Sequence, residues 1–434
     1  MKPLNMTERG TLSHDASILL AATTEDKRNQ ALQAIASALR SQQDFIIEAN
    51  QKDLEMAKAN KLDAPLLKRL RFDTNKIEDV IAGIESLIHL PDPIGLTQMA
   101  TELDKGLELY RVTCPIGVIG VIFESRPDAF VQIATLCLKS GNAVLLKGGH
   151  ESRCTNRTLF KVIQGATQRI DLPKNWIQNL ETREDVNDML AQNETIDLIV
   201  PRGSNAFVKY IMDHTTIPVM GHADGLCHVY IDQDADLKKA VALSVDSKAQ
   251  YVSVCNAAET LLVHRAIAAD FLPALKSAMK RAHVTLRGDA KVQNYISVYP
   301  ATEADWETEY LDYTLSVKIV DSLNEAIRHI NRYGSGHTDA IVTENGDVAK
   351  RFTTLVDSAG VYVNASTRFA DGYRYGFGAE VGISTGKLHA RGPVGLEGLV
   401  SYKYKLIGHG QIVADYANGQ AQFTHRSLQK KCPL

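Results

Sequence analysis

Hydrophobic and polar positions follow a helical period over roughly the first 90 residues of the chain. Leu32, Ile35 and Leu39 recur at helical spacing, and charged residues fill the positions between them. The segment PDPIG at 91–95 interrupts this period, because proline removes a backbone donor and glycine favours turns. The pattern therefore predicts scaffold helices from 16 to about 90.

Residues 99–114, MATELDKGLELYRVTC, carry two strand-like runs on either side of Asp104, Lys105 and Gly106. A short turn containing glycine between two such runs is typical of a β-hairpin. Because an isolated polar hairpin is marginally stable, we expect it to pair with a further strand. A second subunit is one source of such a strand.

Apolar runs and helical patterns alternate from residue 116 onward, in two blocks. The first block predicts strands 116–123, 143–146, 196–200, 217–220 and 227–231 and helices 127–139, 152–167 and 206–213. The second block predicts helices 237–247, 266–282, 323–332 and 347–355 and strands 260–263, 316–320, 340–342 and 361–364. This alternation predicts two α/β domains with parallel sheets, and a cleft between them is the expected place for chemistry.

Composition and charge narrow the class of protein. The 434 residues are 44% hydrophobic and 23% charged with a formal net charge of −3, so no basic field for nucleic acid is expected. The chain shows neither a secretory signal nor an apolar run near the ~18 residues of a membrane span. Its six cysteines lack zinc spacing, so we expect reduced thiols, no bound metal and a cytoplasmic enzyme or binding protein.

The most informative cysteine is Cys255, in YVSVCNAAETLLVH at 251–264. Its neighbours have short side chains, so a substrate can reach the thiol. At an electropositive, partly exposed position the pKa of a cysteine falls, and the thiolate attacks carbonyl or acyl groups. Cys255 is therefore the candidate nucleophile and Asn256 a candidate substrate or oxyanion contact, although the local sequence alone favours an inert core thiol.

Polar residues follow several of the predicted strands. The dinucleotide-binding fingerprint GxGxxG does not follow any of them. Lys147 and Gly148 suit a ribose hydroxyl or a phosphate, and an ordinary solvated turn is the alternative. Arg202, Gly203 and Ser204 precede a helix whose first N–H groups could hold an anion. The alternative there is an ordinary helix cap.

Two further motifs supply arginines. Arg126 can bind a carboxylate or phosphate with its planar fork and Ser125 can donate to a developing oxyanion, while a surface arginine is the alternative. Arg368 and Arg391, in the loops NASTRF and KLHARGP, are two more candidate anion-binding groups or merely solvated side chains.

Several longer stretches resemble the aldehyde dehydrogenase superfamily, and within it the branch that reduces γ-glutamyl phosphate. They span about 91–404 and read CPIGVIGVIFESRPDAF, NAVLLKGG, DLIVPRG, VCNAAETLLVH, EYLDYTLSVKIVDSLNEAIRHINRYGSGHTDAIVT, VNASTRF and GISTGKLHARGPVGLEGL. The resemblance implies an α/β fold with a variant Rossmann cofactor domain, an α/β catalytic domain and a small β-hairpin oligomerisation flap. The implied boundaries are 1–96 and 115–226 for the cofactor domain, 227–396 for the catalytic domain, and 97–114 and 397–434 for the hairpin and tail.

The resemblance also implies roles for individual residues. Cys255 is the implied nucleophile, Lys147 lies at the adenosine ribose of a nicotinamide cofactor, and Glu309 holds the nicotinamide-side ribose. The hairpin around Gly106 matches the superfamily's flap, which pairs with a strand at 402–406.

Two positions depart from the wider superfamily. Ser125 stands where ordinary aldehyde dehydrogenases have an asparagine that holds the oxyanion, so the backbone N–H of Cys255 is expected to carry more of that work. His222 stands where they have the glutamate that activates water. Loss of that carboxylate suits a phosphorylating enzyme, because activated water would hydrolyse its thioester.

The function implied by the resemblance is the NADPH-dependent reduction of L-glutamate 5-phosphate to L-glutamate 5-semialdehyde and phosphate through a thioester on Cys255, the second step of proline biosynthesis. NADP(H) as cofactor and a homo-oligomer are implied with it, and transient contact with glutamate 5-kinase is a further hypothesis. One alternative is another acylating, cysteine-dependent aldehyde dehydrogenase with a different acyl phosphate or thioester. The other is a structural or regulatory protein that has lost the chemistry.

Overall fold

The computed structural model describes residues 4–221 and 224–434, apart from the side chains of 64 and 65. The described residues form fifteen α-helices: α1 Met6–Ala21, α2 Glu25–Ser41, α3 Gln43–Ala59, α4 Ala64–Leu70, α5 Thr74–His89, α6 Pro127–Lys139, α7 Arg153–Gln168, α8 Arg183–Leu190, α9 Asn205–Asp213, α10 Leu237–Ala249, α11 Ala268–Arg281, α12 Ala290–Gln293, α13 Leu323–Tyr333, α14 Gly346–Leu355 and α15 Val413–Ala417. They also form seventeen strands: β1 Thr97–Asp104, β2 Leu107–Pro115, β3 Val118–Ile122, β4 Ala143–Lys147, β5 Ile177–Leu180, β6 Leu198–Pro201, β7 Cys227–Ile231, β8 Ala258–His264, β9 Thr285–Gly288, β10 Tyr299–Pro300, β11 Thr314–Val320, β12 Thr338–Val342, β13 Gly360–Val363, β14 Gly382–Ser384, β15 Gly392–Val394, β16 Val400–Ile407 and β17 Arg426–Ser427.

Five helices, α1 to α5, precede the first strand, as the helical period predicts. Helix α2 begins after Thr24, whose side chain accepts a hydrogen bond from the N–H of Lys27. Its apolar stripe, which includes Ile35 and Leu39, is fully buried in one core with α5, α6 and α7. Burial of such a stripe supplies most of the stability of a helix in a globular protein.

The first sheet has four parallel strands in the order β5-β4-β3-β6. One face packs on α2, α5, α6 and α7 around Phe130 and Leu146, and the other packs on α8 and α9 around Val118 and Met189. Strands covered on both faces are apolar throughout, which explains the runs of β3 and β4. The carboxyl ends of β3, β4 and β6 therefore lie side by side at one edge.

The second sheet has seven parallel strands in the order β10-β9-β11-β8-β7-β12-β13. Helices α10 and α11 cover one face around Phe271 and Leu275, and α13 and α14 cover the other around Ile330 and Phe352. The loops before β7, β8 and β12 meet at its amino edge. This edge faces the carboxyl edge of the first sheet across a cavity.

A third, antiparallel sheet has the order β16-β2-β1-β17. Strands β1 and β2 form the predicted hairpin, and β16 of the same chain pairs with β2 along its length, from Val400 opposite Pro115 to Ile407 opposite Glu108. Strand β17 covers part of the other edge. The predicted partner strand at 402–406 is thus present, and the oligomerisation role of this sheet stays a prediction.

The predicted α/β class with parallel sheets is confirmed, with three local differences. The segment 217–220 forms a single bridge between Val219 and Ile199 rather than a strand, because Pro218 has no N–H to donate to a ladder. Strand β7, predicted with the first block, lies in the second sheet between β8 and β12. The sequence patterns did not predict β5, α8, β9, α12, β10, β14, β15, α15 or β17. None of the helices in the described ranges is long and apolar enough to cross a membrane.

Candidate active site

A cavity of about 380 Å³ lies between the edges of the two large sheets. Its walls are the ends of β3 and β6, the loop before β8, and the segment between β13 and β15. The charged and polar lining residues are Glu124, Arg126, Arg202, Asn205, Cys255, Asn256, Arg368, Asp371 and Glu380. Five residues singled out from the sequence for their side chains thus share one enclosure: Arg126, Arg202, Cys255, Asn256 and Arg368.

Cys255 lies in the loop directly before β8, where its thiol lines the cavity. Its carbonyl accepts a hydrogen bond from the Cys227 thiol at 3.2 Å. Gly225 packs so close that a Cβ there would collide with the backbone of Cys255. Burial, with smaller contributions from Glu309 and Glu380, raises the pKa of the Cys255 thiol to about 12. The resting thiol is therefore protonated at neutral pH and needs a base.

His337 supplies a base within hydrogen-bonding distance. Its Nε2 lies 3.2 Å from Cys255 Sγ, and its Nδ1 lies 2.9 Å from Thr338 Oγ1. The side chain is 1% exposed. With the proton on Nδ1, Nε2 can accept the thiol proton. The sequence reading missed His337. The signal was a histidine after a glycine-rich turn, GSGH, immediately before a strand.

The raised pKa of the thiol predicts how its reactivity depends on pH. In the cofactor-free His337→Asn variant, which lacks this base, the rate at which iodoacetamide alkylates Cys255 should rise about tenfold per pH unit between pH 7 and 10, because only the thiolate reacts. His337→Asn should slow alkylation at least about tenfold at pH 7.5 and little at pH 10, where the base is less needed. Mass spectrometry of the Cys255 peptide measures both rates.

The control for this experiment is Cys255→Ala, which identifies the alkylation of the other five cysteines. A rate that levels off near the usual cysteine pKa of about 8.5 would contradict the raised value. An effect of His337→Asn that is equal at both pH values would contradict a role of the imidazole as base.

The three cavity arginines differ in whether their guanidinium groups already form a hydrogen bond with another side chain. Arg126 donates to Asp128 at 3.0 Å, and Arg368 donates to Gln250 at 2.9 Å. The guanidinium of Arg202 has no hydrogen bond or ion pair with another residue that the structure describes. Burial and then Arg126 lower the pKa of Arg202, which marks a cation without enough countercharge. Arg202 is thus the guanidinium most available to an anion.

Arg391 lies outside this cavity. Its guanidinium donates to the carbonyl of Asp357 at 3.1 Å and to the carboxylate at 3.2 Å. Lys387 contacts the same carboxylate. Arg391 therefore belongs to a separate surface ion-pair group.

The two oxyanion candidates have different surroundings. Asn256 lines the cavity, donates to the carbonyl of Ala370 at 2.8 Å, and leaves its buried Oδ1 without a partner among the described residues. Ser125 does not line the cavity, and its hydroxyl donates to Glu151. Ser125 would have to leave that carboxylate to bind an oxyanion, so its role stays a prediction. His222 lies outside the described residues.

The cofactor candidates lie at the carboxyl edge of the first sheet and next to Cys255. Lys147 is 8% exposed, burial lowers its pKa, and its ammonium donates to the Gly148 carbonyl at 2.8 Å. No other partner of that ammonium occurs in the ranges that the structure describes, so two of its donors can bind ribose hydroxyls. Gly203 and Ser204 are exposed at the start of α9.

Glu309 lies between the two sheet edges. One carboxylate oxygen accepts from Asn205 Nδ2 at 2.6 Å and the other from the N–H of Gly225 at 3.0 Å. Each oxygen keeps a second lone pair for a ribose hydroxyl. The residues predicted to hold a nicotinamide cofactor thus fit that group in chemistry, and their roles stay predictions.

Comparison with known proteins gives the family. The family model of the aldehyde dehydrogenases, "Aldehyde dehydrogenase family", matches residues 13–296. A gamma-glutamyl phosphate reductase of Acetivibrio thermocellus is 60% identical over 431 residues, which cover 99% of this chain and 100% of that protein. One of Ruminiclostridium cellulolyticum is 61% identical and covers 96% of each chain. The chain belongs to the aldehyde dehydrogenase family, among its gamma-glutamyl phosphate reductases.

A solved relative agrees in fold. The crystal structure of gamma-glutamyl phosphate reductase from Thermotoga maritima superposes with a TM-score of 0.92 at 40% identity, covering 94% of this chain and 99% of that one. The aldehyde dehydrogenase superfamily, to which the sequence motifs point, is thereby confirmed, and the chain is an oxidoreductase that uses a nicotinamide cofactor and a small-molecule substrate.

Proposed function

We propose that the enzyme reduces L-glutamate 5-phosphate with NADPH to L-glutamate 5-semialdehyde and inorganic phosphate, the second step of proline biosynthesis. The observation that carries this proposal is the Cys255 thiol, 3.2 Å from an imidazole nitrogen of His337, in one cavity with three guanidinium groups. Such a cavity suits an acyl phosphate, which offers an electrophilic carbon and an anionic leaving group.

In the first half of the reaction the thiol forms a thioester. His337 takes the proton of Cys255, and Sγ attacks the acyl carbon of the substrate. Arg202 balances the charge of the phosphate as the bond from carbon to oxygen breaks, with Arg126 and Arg368 around it. The backbone N–H of Cys255 and the amide of Asn256 donate to the oxyanion.

In the second half Cys255 is the leaving group. A bound nicotinamide cofactor would supply the hydride that converts the acyl group to the aldehyde. Lys147, Gly203, Ser204 and Glu309 would hold that cofactor. Cys255 departs as a thiolate, and His337 returns the proton to it.

The finer assignments belong to the same proposal. NADP(H) is preferred because the Lys147 ammonium suits a 2′-phosphate. The sheet formed by β1, β2, β16 and β17 joins subunits of a homo-oligomer, since the outer strand β16 exposes Tyr402, Tyr404 and Leu406. All six cysteines are free, which supports a reducing cytoplasm. Direct transfer from glutamate 5-kinase would protect the labile acyl phosphate.

The proposed function is tested in the reverse direction. Purified enzyme given glutamate 5-semialdehyde and NADP⁺ should form NADPH, measured at 340 nm, only when inorganic phosphate is present, because no water attacks the thioester. Turnover without phosphate would mean hydrolysis instead. Turnover with another semialdehyde but not with this one would favour the alternative acyl substrate, which the relatives named above do not favour.

A further inference from the structure

Glu380 is a cavity carboxylate that the reaction steps above do not use. One of its oxygens, Oε2, accepts from the N–H of Gly372 at 2.8 Å. The other has no hydrogen bond or ion pair with any residue in the described part of the chain. Glu380 is half-buried and lines the cavity with Cys255 and Arg202. A carboxylate in that position attracts a cation from the substrate.

The other two cavity carboxylates already have cationic partners. Glu124 lies 3.4 Å from Arg69, and its side chain is 49% exposed. Asp371 lies 3.8 Å from Arg374 and also accepts from the N–H of that residue. Glu380 is therefore the cavity carboxylate that has no ion pair with any of the described residues.

The proposed substrate carries one positive charge, its α-ammonium group. In an extended chain this nitrogen is separated from the acyl carbon by four covalent bonds, which span about 5 Å. Glu380 lines the same cavity as Cys255, and its charge contributes to the raised pKa of the Cys255 thiol. An ammonium bound by Glu380 is thus within reach of a chain whose acyl carbon is at the sulfur.

We propose that Glu380 binds the α-ammonium group of the substrate and thereby selects an amino acid over the same chain without an amino group. This inference rests on the proposed function and names a specificity-determining residue for it. The guanidinium groups bind the phosphate and the α-carboxylate. Glu380 distinguishes substrates with an amino group from those without one, because an ammonium left without a counterion in the cavity costs free energy.

The test compares two aldehydes at saturating phosphate and NADP⁺: glutamate 5-semialdehyde and 5-oxopentanoate, which lacks only the amino group. Glu380→Gln should lower kcat/KM for the first roughly 30-fold and change it less than about twofold for the second. Glutamine keeps an acceptor for Gly372, so the cavity wall retains its hydrogen bond. Glu397→Gln, an exposed residue outside the cavity, is the matched control and should leave the preference unchanged.

The outcomes separate this inference from the proposed function. No phosphate-dependent turnover of either aldehyde by the wild type would reject the proposed function itself. Equal losses on both aldehydes, or a changed KM for phosphate with the preference intact, would overturn the role of Glu380. If Glu380→Gln does not fold, Glu380→Asp, which keeps the charge, should retain at least part of the preference. Loss of the whole preference in that variant would also overturn the inference.

Discussion

Cys255→Ala should have no measurable phosphate-dependent reduction of NADP⁺, a loss of at least about 10⁴-fold in kcat. Both halves of the proposed reaction pass through a bond to Sγ, and no other thiol lines the cavity among the described residues. The loss should therefore appear in kcat, while NADP⁺ still binds and quenches protein fluorescence. Steady-state assays and a nucleotide titration of the same preparation measure the two quantities.

The matched control is Cys432→Ala. Cys432 lies in the carboxyl-terminal tail, where its thiol contacts the carbonyl of Leu434. This variant should retain wild-type turnover. Phosphate-dependent turnover by Cys255→Ala above a hundredth of the wild-type rate would mean that no thioester forms at Cys255, and the proposed mechanism would be wrong.

Arg202→Gln should raise the KM for inorganic phosphate about 100-fold in the reverse assay. Arg202 is the cavity guanidinium without a described partner, and burial together with Arg126 lowers its pKa. A bound phosphate balances the positive charge of Arg202. Removal of the guanidinium should therefore weaken phosphate binding more than it weakens cofactor binding. Initial rates over a range of phosphate concentrations give the KM.

Arg40→Gln is the control for nonspecific charge loss, because Arg40 of α2 forms an ion pair with Glu78 of α5 on the protein surface. Its phosphate KM should stay within about twofold, as expected for a surface ion pair. If Arg126→Gln raises the KM for phosphate more than Arg202→Gln does, Arg202 is not the principal phosphate ligand. That role would then belong to Arg126, despite its contact with Asp128.

Much of the fold could be predicted from the sequence because its signals are local. Helix α6 has the predicted bounds, since Pro127 fixes its first turn and the apolar period continues to Lys139. Strand β5, Ile177–Leu180, was missed because glutamine and asparagine occupy its centre. The short β9, Thr285–Gly288, contains an arginine and ends in glycine. Such strands form because neighbouring strands pair with them, and one sequence does not reveal that pairing.

The site could be predicted only in part. Cys255 and the arginines at strand ends have recognisable local sequences, so they were found. His337 was missed because its distance from Cys255 depends on how β12 and β8 each pair with β7. Glu380 was missed because it lies in a loop without a periodic pattern. It is a candidate only because the structure places it in the cavity with one carboxylate oxygen that has no partner among the described residues.

The cavity walls come from Met220 and from four stretches of chain that are far apart in sequence, around 123–129, 200–208, 254–256 and 368–383. The sulfur that lines the cavity and the imidazole in contact with that sulfur are 82 positions apart. Groups so far apart in sequence meet only after long loops have closed, and closing such loops costs conformational entropy before the contacts form. The contacts around the cavity therefore have a high contact order. Chemical competence therefore develops late in folding, after the local helices have formed. No proteolytic fragment that lacks any one of the four stretches retains the complete cavity.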